Sequence, residues 1–104
     1  SVSPYVEDVP NPIAAAWRVE YAKNYKNATS FVASLAAAGL EVTAAAMDKA
    51  GTSTDYDKIA EAIRGNTWNT VLGDTKFDNI GQGFIASYIV QVKDGKIVTT
   101  SKAN

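Results

Sequence analysis

A chain of 104 residues, 46% of them hydrophobic, is long enough for one compact domain or part of one. Ten Lys and Arg against eleven Asp and Glu leave a net charge of −1, so no strong field draws in nucleic acid or an anionic membrane surface. The chain has no Cys and no His, which removes thiol nucleophiles, the commonest metal ligand and the usual general base near neutral pH.

The absence of cysteine fits both a reducing cytoplasm and a disulfide-free exported protein, and leaves the compartment open. The longest apolar run, FVASLAAAGL, is too short to span a bilayer. The start, SVSPYVEDVPNP, has neither a basic n-region nor an apolar h-region. Both features predict a soluble chain with no export signal inside it.

Pro4, Pro10 and Pro12 make the first twelve residues extended, and Asn11 before Pro12 is an N-cap and N1 pair that opens a helix. Ile13, Trp17 and Tyr21 recur every four residues and give this helix an aromatic face to bury, which Tyr25 extends by a turn. After a break at KNATS, Phe31 to Ala50 is the strongest helical signal. It is rich in alanine and apolar almost all round, with polar groups only at Ser34, Glu41, Thr43, Asp48 and Lys49. Such a helix is expected to pack on two sides, with Gly39 admitting a close neighbour and Gly51 stopping it in the left-handed conformation. Thr54 is expected to cap the next helix, with Asp57 reaching back, and Tyr56, Ile59 and Ile63 form its stripe up to Gly65-Asn66.

From there the period changes. A short strand is followed by alternation from Phe84 to Lys93, which predicts one strand with Phe84, Ala86, Tyr88, Val90 and Val92 on one face. Asp94-Gly95 then predicts a type I′ hairpin, because that turn needs positive φ at both central residues. The order helix, helix, helix, short strand, loop, hairpin is odd for a free domain. Two or three strands make a poor sheet alone, and a nearly all-apolar helix needs partners this chain scarcely supplies.

Several stretches look like chemical sites. The loop GDTKFDNIGQG carries Asp74, Asp78, Asn79 and Gln82 among three glycines, yet lacks both the alternate-ligand spacing of an EF-hand and the Gly-Lys-Ser/Thr ending of a phosphate loop. Asp78 and Asn79 are expected to cap local backbone. Trp17, Tyr21 and Tyr25 suit a core better than a stacking site, and Trp68 suits a plug between helix and strand. Asn27-Ala28-Thr29 matches a glycosylation sequon by chance, and Asp55, Asp57 and Glu61 lie in the first turns of a helix, where negative charge is favourable. No nucleophile–base pair, metal set or cofactor motif is present, so an enzyme is the weakest class.

Four pieces in order carry a family resemblance: NPIAAAWRVEYAKNY, then LEVTAAAMDKAGTSTDYDKIAEAIR, then FDNIGQG, then SYIVQVKDGKIV. Together, from about Pro4 to Val98, they resemble the C-terminal part of type I periplasmic solute-binding proteins of ABC importers, the group that looks like the leucine/isoleucine/valine-binding protein. The resemblance implies an α/β chain that is part of a two-lobed periplasmic-binding-protein-like fold, incomplete alone. It implies that residues 1–80 finish the first lobe, with a hinge strand at the start, and that residues 81–104 form the last crossing and the C-terminal hairpin of the second.

The implied function is capture of an amino acid or related small carboxylic acid in the periplasm or outside the cell, for delivery to the transmembrane subunits of an ABC permease, without catalysis or cofactor. Many members of the family carry Tyr near the position of Ala37, a departure here. The solute-facing candidates that the resemblance leaves are Tyr5 beside the hinge and Phe31 and Ser34 on the first turns of the long helix. Two other classes remain: a ligand-sensing regulator of the same fold, and a self-associating, non-catalytic domain.

Overall fold

The computed structural model describes residues 1–103. Three helices and two small antiparallel sheets make up the fold: β1 (Val2–Ser3), α1 (Pro12–Asn24), α2 (Phe31–Ala50), α3 (Tyr56–Ile63), β2 (Thr67–Thr70), β3 (Gly73–Phe77), β4 (Gly83–Phe84), β5 (Tyr88–Lys93) and β6 (Lys96–Lys102). One sheet, in the order β1-β5-β6, joins the two ends of the chain; the other, β2-β3-β4, lies beside the helices. The extents are 49 × 33 × 19 Å and the radius of gyration is 15.2 Å, against about 13 Å for a compact chain of this size. The molecule is drawn out because its two units share few contacts.

Local chemistry sets most element ends. Asn11 caps α1, its Oδ1 accepting from the N–H groups of Ile13 and Ala14 while Pro12 occupies the first turn. Its amide also donates to the carbonyls of Thr70 and Val71, so one side chain both starts the helix and docks it on the β2–β3 turn. Ser30 caps α2 by accepting from Ala33 N–H, and Gly51, at φ 70°, ends it. The expected cap of α3 moves by one residue. Asp55, not Thr54, accepts from Lys58 N–H, while Thr52 Oγ1 takes the N–H groups of Thr54 and Asp55.

The core sits where α1 and α2 meet the β2–β3 turn, around Ala14, Ala38, Val71 and Leu72, with Tyr5, Trp17, Ala37 and Ile85 packed against it. From α2 the chain buries a row at four-residue spacing, Ser34, Ala38, Val42 and Ala46, and Glu41 Oε2 accepts from Val71 N–H at 3.0 Å. The expectation of packing on two sides is not met within this chain. Val32 and Leu40 are 70% and 74% exposed, and an added Cβ at Gly39 would meet nothing within 4 Å. At 20 residues α2 is long and apolar enough to cross a bilayer by length and composition, which corrects the inference from its ten-residue apolar run; its buried row is that of a core helix with one face packed here.

The strand region differs from expectation in two places. The expected short strand is a hairpin, β2–β3, turning through Val71-Leu72, with a third strand added by β4. Thr70, fully buried, holds that turn: its hydroxyl accepts from Leu72 N–H and pairs with Thr75 Oγ1 at 3.0 Å. The single strand expected from Phe84 to Lys93 is broken at Ile85–Ser87, because Phe84 pairs with Lys76 in one sheet and Tyr88 with Ser3 in the other. The Asp94-Gly95 turn has φ of 50° and 77°, as a type I′ hairpin requires. Between Ile89 and Val90 the register shifts, leaving Thr100 as the extra residue, and its hydroxyl donates to the Ile89 carbonyl.

Candidate functional site

The segment between β1 and α1 is bonded to several distant parts of the chain. Thr29 Oγ1 donates its single proton to Glu7 Oε1 at 2.8 Å, so the Tyr5 hydroxyl, 2.9 Å away, donates to Thr29. The Tyr5 ring meets Trp17 edge-on at 5.9 Å, and the series continues along α1 through Tyr21 at 5.5 Å to Tyr25 at 4.7 Å. Trp17 packs against the core, while Tyr25 is 61% exposed and Ile13 is exposed, so the stripe is half-buried in its middle and open at both ends.

Thr29 stands two residues before Phe31, so Tyr5 is tied to the N-terminal end of α2. Phe31, the first residue of that helix, is partly exposed. Ser34 is fully buried one turn on, and its hydroxyl donates to the Phe31 carbonyl at 2.6 Å. The structure thus brings Tyr5, Phe31 and Ser34 to one end of α2. A phenol and an aromatic face reach the surface there, and a hydroxyl fixes the turn beneath them.

Next to Glu7, Asp8 turns the other way. Its carboxylate accepts from Thr99 Oγ1 at 2.6 Å and from Thr99 N–H at 2.8 Å, on β6. These two bonds, the hydroxyl's first, hold the Asp8 carboxyl below the usual carboxylate value. Sequence reasoning passed over the pairs Glu7–Thr29 and Asp8–Thr99, whose members lie 22 and 91 positions apart. No local pattern marks such pairs.

Of these residues Tyr5 lines a concavity, while Phe31 and Ser34 line neither of the two that lie beside the core. One, of about 340 Å³, lies between the Pro4–Asn11 segment, the start of α1 and the β2–β3 turn, and is shared by Tyr5, Asn11, Thr70, Leu72 and Tyr88. The other, of about 390 Å³, is an apolar groove among Leu35, Val42, Ile63, Phe77 and Ile85.

The remaining candidates serve the fold. Asp78 Oδ1 accepts from the N–H groups of Ile80 and Gln82, as expected for a loop cap. Asn79 does not share that role; its Oδ1 lies over Gly65, 3.0 Å from where a Cβ would stand. Trp68, on β2, is half-buried under Lys49, whose Nζ lies 5.8 Å from the ring centroid. Among the described residues, no group of three or more His, Cys, Asp or Glu is placed to hold a metal ion.

Residues 1–96 match the model of the periplasmic binding protein family, and the chain belongs to that family. Solved structures agree on the fold. A leucine-binding protein from Thermotoga maritima superposes over 99% of this chain and 30% of its own, at 23% identity and a TM-score of 0.81. An ABC-type branched-chain amino acid transporter from Rhodopseudomonas palustris does so over 98% and 29%, at 24% identity and 0.81. A solute-binding protein of an ABC transporter from R. palustris, in complex with benzoate, covers 98% and 29%, at 20% identity and 0.84. The chain spans less than a third of the length of these structures, which accounts for its drawn-out shape and uncovered apolar faces: it is a fragment of that fold.

Proposed function

We propose that the chain serves in a solute-binding component of an ABC importer that captures an amino acid or a related small carboxylic acid and delivers it to the transmembrane subunits of a permease. The observation that carries this reading is the family match over residues 1–96, on a structure whose two units are joined by connecting segments at Pro4–Asn11 and Ile85–Ser87. On this reading residues 1–80 complete one lobe and residues 81–104 supply the last crossing and hairpin of the other, with the solute between them. Location in the periplasm or outside the cell follows from the role. The protein binds and releases its solute unchanged.

Tyr5 and Phe31 contribute a hydroxyl and an aromatic face to the solute cleft, and Ser34 contributes through the first turn of α2. The solved relatives support a small carboxylate as the solute class, since by name they handle leucine, branched-chain amino acids and benzoate. Calorimetric titration of the full-length protein against aliphatic and aromatic amino acids and benzoates tests the proposal. Saturable 1:1 binding of one of them is expected; a folded protein that binds none of these would refute it. A concentration-dependent dimer that binds no solute would instead favour self-association through the exposed faces of Leu40, Val92 and Ile97.

A further inference from the structure

Val6 to Val9 form a β-turn, closed by Val9 N–H donating to the Val6 carbonyl at 3.3 Å, and its two central residues are Glu7 and Asp8. Side chains at the two central positions of a turn leave in different directions, and here each meets a different unit. Glu7 accepts from Thr29, on the approach to α2; Asp8 accepts twice from Thr99, on β6 of the terminal sheet. The Thr99 N–H is free for this because its partner Val90 is turned to the other side, its N–H and carbonyl both engaged by Ser1.

The turn itself is stiff. Val6 is buried beneath it, and Pro4, Pro10 and Pro12 fix φ on either side. A stiff turn that grips one unit with each of two adjacent carboxylates sets the angle between those units. We propose that Glu7-Asp8 is a hinge clasp: a positioning pair that holds the terminal sheet at a set orientation to the helical unit, Glu7 through Thr29 and Asp8 through Thr99.

The bonds are charge-assisted, short and exposed, a combination that suits a joint made to be reset. Open and closed forms of a hinged protein differ by small free energies, so a few such bonds are enough to bias the equilibrium between them. Rotation of one unit on the other must stretch one arm of the clasp. The clasp stands on the contacts alone; its effect on solute capture rests on the functional reading above.

These 104 residues contain no cysteine, and any cysteine elsewhere in the full-length protein is first replaced by serine. Lys58→Cys on α3 and Lys96→Cys at the start of β6 place one spin label on each unit of the full-length protein, and electron double resonance reads the distribution of distances between them. A single narrow distribution is expected with the clasp intact. Asp8→Ala is expected to broaden it and shift its mean, Thr99→Val to do so less because the N–H survives, and Thr99→Ser to restore it. Helical content by circular dichroism should stay unchanged throughout. An Asp8→Ala distribution identical to the parent's, or one that changes only together with loss of helix, overturns the clasp. Solute titrations on the same samples separate the two ideas: a shifted distance without solute binding leaves the clasp and removes the transport reading, and binding with unshifted distances does the reverse.

Discussion

The helical unit and the terminal sheet are built to different standards. α1, α2 and the β2–β3 hairpin bury Ala14, Ser34, Ala38, Val42, Ala46, Thr70, Val71 and Leu72, and they bond backbone groups near the core with side chains such as Asn11, Glu41 and Thr70. No residue of β1, β5 or β6 reaches that level of burial; Val92 and Ile97 are 69% and 63% exposed, although the β5–β6 ladder runs through six residue pairs. Hydrogen-bonded ladders run through both units, and two buried donors of the helical unit, Arg18 Nη1 and Trp68 Nε1, have no partner, but apolar cover is present in that unit alone. A ladder without a covered face is weak by itself, so the terminal sheet takes its place from the β1 pairing and the Glu7-Asp8 turn.

The sharpest way to break this comparison is a matched pair of substitutions. Val42→Asp buries an unpaired charge in the α2 row and should cost about 3 kcal/mol or more, unfolding the helical unit. Val92→Asp, on the open sheet, should cost less than about 1 kcal/mol. Urea denaturation followed by circular dichroism measures both, and equal costs would mean that the sheet is covered after all. Glu41→Ala comes next. It leaves the Val71 N–H without its acceptor and should cost about 1–3 kcal/mol, read the same way.

Phe31→Ala sharpens the comparison at the proposed cleft rather than in the core. Its ring is partly exposed, so the variant should fold, and solute affinity in the full-length protein should fall about tenfold, roughly 1.4 kcal/mol. Unchanged affinity by calorimetry would remove Phe31 from the site.

The smallest effect concerns Asp8. Its carboxyl is held below the ordinary value of 3.8 when folded, so the stability it contributes is fully present above 3.8 and is lost as pH falls through the lower, folded value. The Thr99 amide resonance should therefore titrate with a midpoint below 3.8, and a midpoint at or above it would show that the bond does not persist in solution.

What the sequence revealed follows the range of the interactions. Asn11-Pro12, Gly51 and Asp94-Gly95 act through their own backbone, and each was legible because its chemistry is complete within a few residues. The β2–β3 turn was not, since Val71-Leu72 offers no Gly, Pro or Asn and the turn depends on Thr70, Thr75 and a distant Glu41. The alternating pattern ran unbroken through Ile85–Ser87 and hid a change of sheet, because leaving one sheet for another need not disturb a period of two. Thr54 and Asp55 are both good caps, and only the fold chose between them. Resemblance pointed to Tyr5, Phe31 and Ser34 as candidates, whereas nothing in the sequence pointed to the Asp8–Thr99 pair, which is joined only when the two ends of the chain meet.

Small-angle X-ray scattering of the full-length protein, with and without the solute that saturates its titration, tests the central claim most directly. Two lobes hinged at the crossing segments should close on the solute, so the radius of gyration should fall on saturation. An unchanged radius with the site fully occupied would contradict the account.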